Sequence, residues 1–162
     1  MLSFFKKKVP LAEYCNTILN TIFSEEMTIQ LMRIKNGIPD SALSQAGQPL
    51  YLNEMRGAYL QLFSIVITKQ CNDMQISMDA SRYFDTYLSK KFGSQDLRNV
   101  SDAYNKAFGS SPSDGVMEMA KLLSLRLGKD ELSQGTIEAF RELFYTFLSS
   151  TIHDLEKVKI VN

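Results

Sequence analysis

The run Leu50-Tyr51-Leu52-Asn53-Glu54-Met55-Arg56-Gly57-Ala58-Tyr59-Leu60-Gln61-Leu62-Phe63-Ser64-Ile65-Val66-Ile67-Thr68-Lys69-Gln70-Cys71 decides the fold. Leu52, Met55, Tyr59, Leu62 and Val66 recur at spacings of three and four, which puts them on one side of a helix. Ala58, Phe63, Ile65 and Ile67 widen that side, while Glu54, Gln61, Ser64 and Thr68 fall opposite. A segment this long, with no internal proline, predicts a central helix. Its most apolar part, Tyr59 to Ile67, is interrupted by Gln61 and Ser64 and ends at Thr68-Lys69, well short of the roughly 20 apolar residues that span a bilayer. No transmembrane helix is expected.

The same spacing recurs outward in both directions. Leu11, Cys15, Ile18 and Ile22 predict a helix over 10–23, with Pro10 at its start. Ile76, Ala80, Tyr83, Phe84, Tyr87 and Leu88 predict one over 74–92, capped by Asn72 or Asp73. Leu97, Val100, Tyr104 and Ala107 predict a helix that Ser94 begins and Gly109 ends. Val116, Met119, Ala120, Leu123 and Leu127 predict another, begun by Ser111-Pro112 and closed by Gly128. Ile137, Phe140, Phe144, Phe147, Leu148, Thr151, Leu155 and Val158 form the longest stripe, the spine of the core. Residues 25–35 fit either a strand, through alternating Met27, Ile29 and Leu31, or a helix with acidic Glu25 and Glu26 in its first turn. Helix is favoured, because no second strand is evident to pair with it. From Asn36 to Pro49, two prolines and two glycines predict a long loop over 36–49. The expected architecture is an all-α, single-domain bundle of six or seven mostly antiparallel helices over 1–162, with a flexible N-terminus at 1–9.

Composition narrows the function classes. The 162 residues carry 18 basic and 18 acidic side chains and one histidine, so there is no bulk field to attract DNA or RNA, and no nucleic-acid partner is expected. With 44% hydrophobic and 22% charged residues, the chain reads as a soluble globule. Cys15 and Cys71 are too few for a disulfide framework and suit two free thiols in the cytoplasm. Apolar Phe4-Phe5 precedes Lys6-Lys7-Lys8, the reverse of the order in a secretory signal, so none is expected there.

Catalytic constellations find little support. His153, the only histidine, falls about 180° from Phe144 on its helix and reads as a solvated side chain beside Asp154 and Glu156. One histidine and two distant cysteines do not compose a zinc site, no Glu-x-x-His di-iron pattern occurs, and no calcium-loop pattern is found. Cys15 sits in an apolar stripe as a small core residue. A Cys71 and His153 dyad would need a spatial proximity that sequence does not supply. Phosphate-cradling glycine loops and the nucleophile elbow are absent from the sequence. No catalytic residue, cofactor or metal is therefore expected.

Two features point toward partners. Eight methionines in a chain without tryptophan suit adaptable packing surfaces. Met117, Leu122 and Leu125 lie off the main stripe of their helix, so that segment is apolar nearly all round. Together with Ile38 and Leu43 of the 36–49 segment, they are the expected partner-binding residues. Phe4, Phe5, Lys6, Lys7 and Lys8 combine rings with cations, the ingredients of peripheral contact with an anionic membrane or an acidic partner. The functional expectation is a cytoplasmic helical interaction or regulatory module that binds a partner protein or itself through an apolar helix face. The alternative is a bundle enclosing an apolar small molecule or lipid among Tyr59, Phe63, Phe140, Phe144 and Phe147.

Overall fold

A computed structural model describes residues 6–71, 73–92, 96–110, 114–128 and 131–161. Among them the order is β1 (Lys7–Pro10), α1 (Leu11–Ile22), α2 (Glu25–Gly37), α3 (Ser41–Gln45), α4 (Gln48–Cys71), α5 (Met74–Phe92), α6 (Asp96–Gly109), α7 (Gly115–Gly128), α8 (Gln134–Lys157) and β2 (Val158–Val161). The fold is an all-α helical bundle with one small strand pair. Phe4, Phe5 and the helix signals at Gly93, Ser94, Ser111 and Pro112 lie outside the described residues.

α4 is the hub, packed by α6, α8, α5, α7, α2 and α1. Part of its polar side is buried: Glu54 is 1% exposed and Gln61 8%, because neighbours meet these groups with polar partners, while Thr68 near the end of the helix is exposed. The Nε of Arg126 donates to Oε2 of Glu54 at 2.7 Å and the Tyr104 hydroxyl donates to the same oxygen at 3.0 Å, tying α4 to α7 and α6. Gln61 donates to Asn105 at 2.9 Å and accepts from Ser101 at 3.4 Å. α6 approaches closely because Gly57 has no side chain; a Cβ there would overlap Cγ1 of Val100.

Local caps explain most helix starts. Ser24 accepts from the Met27 amide, and the acidic first turn of α2 favours helix over strand at 25–35. Asp73 accepts from the amides of Gln75 and Ile76 at the start of α5. Asp114 caps α7 by accepting from the Met117 amide.

Three expectations need correction. Eight helices stand among the described residues rather than six or seven, because the 36–49 segment is not one long loop. α2 runs to Gly37, Asp40 caps α3 through the Ala42 and Leu43 amides, and α4 begins at Gln48. The N-terminus is not free over its whole expected length. Lys7–Pro10 pairs in parallel with Val158–Val161, in register Lys7 with Val158 through Pro10 with Val161, while Val9 and Ile160 bury their side chains. These four-residue strands at opposite ends of the chain are too short for an alternation pattern to reveal them.

The aromatic core is filled by its own rings. Tyr59 stacks on Phe147 at 4.4 Å and meets Phe144 edge-on at 6.1 Å, while Phe63 meets Phe84 at 5.2 Å and Tyr14 at 5.8 Å. Phe140 and Phe144 are fully buried.

Candidate partner-binding groove

Ile34, Gly37 and Ile38 face Ala139, Leu143 and Thr146 across an open groove between the end of α2 and the first half of α8. The cavity is about 450 Å³, and Glu142 supplies the only charge in its lining. The groove exists because each wall packs elsewhere: α2 rests on α4 and α3, and α8 rests on α4 and α7. On α8, Phe140 and Phe144 turn into the core, so Ala139 and Leu143, one position earlier, lie on the flank about 100° round the helix, half-buried at the edge of the core.

A polar clamp fixes the spacing of the walls. Asp40 follows Ile38 by two residues. Its Oδ1 caps α3, and its Oδ2 accepts from the Ser133 amide at 3.0 Å and the Thr136 hydroxyl at 2.6 Å. Ser133 in turn caps α8, accepting from the Thr136 amide at 3.3 Å. One carboxylate thus joins the α2–α3 corner to the start of α8. The Thr136 hydroxyl, then the Ser133 amide, stabilise its charge and lower its pKa to about 2. Lys35, 8% exposed, reaches across to donate to the Ser44 carbonyl at 3.2 Å and holds α2 against α3.

The residues expected to bind partners do not form one surface. Ile38 lines the groove. Leu43 is fully buried, since α3 packs on α7, and it is not available to a partner. Met117 and Leu122 are half-buried, and Leu125 is 47% exposed on a different helix from the groove. Lys6, Lys7 and Lys8 are exposed around β1. Ile34, Ala139 and Leu143 were not singled out from sequence. The available signal was Leu143 itself, a leucine outside the stripe defined by Phe140, Phe144 and Phe147.

The reactive side chains are arranged for packing. Burial pushes the Cys15 thiol up to about 12, and burial together with the nearby Asp73 carboxylate raises that of Cys71. An activated cysteine needs the opposite shift. His153 is exposed, with Nδ1 3.9 Å from Glu156. Among the described residues, no three His, Cys, Asp or Glu side chains gather to hold a metal ion. No helix of the described residues is long and apolar enough to cross a membrane.

Comparison with family models, with curated proteins and with solved structures finds no match to this chain.

Proposed function

We propose that this chain is a cytoplasmic helical interaction module, without catalytic activity, that receives an amphipathic helix of a partner protein in the groove between α2 and α8. The observation that carries the reading is the groove itself, with isoleucines at 34 and 38 on one wall and Ala139 and Leu143 on the other. Residues four apart on both walls suit the i, i+4 anchors of a helix laid between them. Gly37, Ala139 and Thr146 leave room for its side chains, and Glu142, 71% exposed and only loosely paired with Arg141 at 3.6 Å, favours a basic residue at the partner's flank. The Asp40 clamp supports the reading, because walls held before binding lose less entropy on association. The unbridged thiols, one fully buried, are in keeping with a reducing compartment. The lipid-enclosing alternative gains nothing from an interior where Tyr59, Phe144 and Phe147 occupy one another's space.

Selection of a helical peptide library on the immobilised protein tests the proposal. Enriched peptides are expected to carry apolar residues four apart beside a basic flank. They should lose at least about ten-fold in affinity, or about 1.4 kcal/mol, on Ala139→Arg and Leu143→Asp variants that keep the helical circular dichroism spectrum. Peptides indifferent to both substitutions would overturn the assignment. A dimer in light scattering that Ala139→Arg dissociates would overturn the choice of partner, since the groove would then hold a second copy.

A further inference from the structure

Gln61 and Ser64, the two polar residues that interrupt the most apolar stretch of α4, line a second cleft, apart from the groove. α5 and α6 both pack on α4 but meet each other only slightly, so a gap opens between them with α4 as its floor. It holds a cavity of about 420 Å³ and a smaller one of about 70 Å³, and Gln61, Ser64, Ser81 of α5 and Asp102 of α6 line both. Those four residues therefore mark its centre. Apolar side chains at this junction would draw α5 and α6 together; polar ones, which lose by burial without partners, keep the gap open.

The floor of the cleft is fixed and its polar groups are unspent. Gln61, nine-tenths buried, donates to Oδ1 of Asn105, so the Nδ2 donors of Asn105 are left for another partner. Ser64, Ser81 and Asp102 form no hydrogen bond or ion pair among the described residues. The charges of the cleft balance. Asp85 and Arg98 pair across the gap at 3.5 Å, one turn before Asp102. Arg98 lines only the smaller cavity and Lys69 only the larger, so the two cations stand at opposite ends. The Lys69 ammonium lies 5.2 Å from the Phe108 ring, and Phe108 is six residues beyond Asp102, about 9 Å along α6 at 1.5 Å per residue. A cation at Asp102 would be flanked by Arg98 and Lys69, and an anion at Lys69 would leave the carboxylate without a donor. The charges of an α-amino acid, separated by one carbon, are too close together to reach both. The centre suits a neutral molecule whose groups donate to a carboxylate and accept from two serine hydroxyls. Adjacent hydroxyls on a sugar ring do both, and Ile65 and Phe84 offer an apolar wall to its C–H face.

We propose that the cleft between α5 and α6 binds one sugar or polyol ring, with a pair of adjacent hydroxyls donating to the Asp102 carboxylate. Amide NMR shifts of the full chain, titrated with D-glucose, D-galactose, D-mannose and myo-inositol, test it. At least one of the four is expected to cause saturable shifts at residues 61–68, 81–85 and 98–105. Asp102→Ala should weaken that probe at least about ten-fold and Ser64→Ala about five-fold, because a hydrogen bond to a charged group is the stronger kind. Leu143→Asp, in the other groove, should leave it unchanged. The methyl glycoside of a bound sugar separates two sources: binding equal to the free sugar assigns the terminal ring of a glycan, and loss of binding assigns a free small molecule. The proposal is overturned if none of the four probes shifts these residues, if both substitutions leave the affinity intact, or if ethanolamine binds here more tightly than every sugar. The last result would assign the carboxylate to an amine.

Discussion

Removing Arg126 should hurt this protein more than removing everything that Arg126 holds. The Glu54 side chain is 2% exposed, against 35% for that of Arg126, and Tyr104 is fully buried. Arg126→Met leaves the carboxylate inside the bundle with only the Tyr104 hydroxyl as a partner. Breaking a buried pair costs about 3–5 kcal/mol; because water reaches this guanidinium, a cost of about 2–3 kcal/mol is expected. Glu54→Met removes the buried charge but leaves the Tyr104 hydroxyl without an acceptor, at about 1–3 kcal/mol. Glu54→Met, Tyr104→Phe and Arg126→Met combined leave neither a charge nor an orphaned hydroxyl, so the triple variant should be more stable than Arg126→Met alone. Urea unfolding at constant m value measures each step. At this chain length the single Arg126→Met change corresponds to a Tm drop of about 4–12 °C. A cost for Arg126→Met below about 0.5 kcal/mol, or a triple variant less stable than that single one, would show that the network is held by something other than the buried carboxylate.

Two further outcomes follow from close contacts and from the clamp. Gly57→Ala should destabilise by about 1–3 kcal/mol, since the overlap with Val100 outweighs the roughly 1 kcal/mol that alanine gains in a helix. In a Val100→Ala background the cost should shrink, because the Cγ1 overlap is gone while the Cβ of residue 100 remains at 3.1 Å, and urea unfolding reads the difference. Asp40 has a folded pKa below its unfolded value of 3.8, so its stabilising contribution is present above about pH 4 and lost as pH falls toward 2. Asp40→Asn should remove that pH dependence and, because an amide nitrogen cannot accept from Ser133 and Thr136, cost about 1 kcal/mol at neutral pH, read by thermal unfolding across the pH range.

The helices were legible because apolar spacing is a local property of the chain. Phe140, Phe144, Thr151 and Leu155 are buried along α8, as their stripe requires. That Glu54 and Gln61, opposite the apolar stripe of α4, are buried was not legible for the same reason. Their partners Arg126 and Tyr104, and Asn105 and Ser101, lie 40 to 72 residues further on, and local spacing carries no information about them. The groove was half visible: Ile38 was singled out within a proline- and glycine-rich segment, but Leu43, from the same segment, is core. What separates them is Asp40, whose cap starts α3 and turns Leu43 inward, while its other oxygen holds α8 beside Ile38.

The parallel pairing of Lys7–Pro10 with Val158–Val161 also decides how the molecule bears load. Tension entering through Lys7 and leaving through Val161 pulls at opposite ends of the ladder. The strands must then slide past each other, and their hydrogen bonds share the force instead of peeling one by one. The bundle between them feels no pull until those few bonds give way together, so the two shortest elements act as a mechanical fuse for the rest.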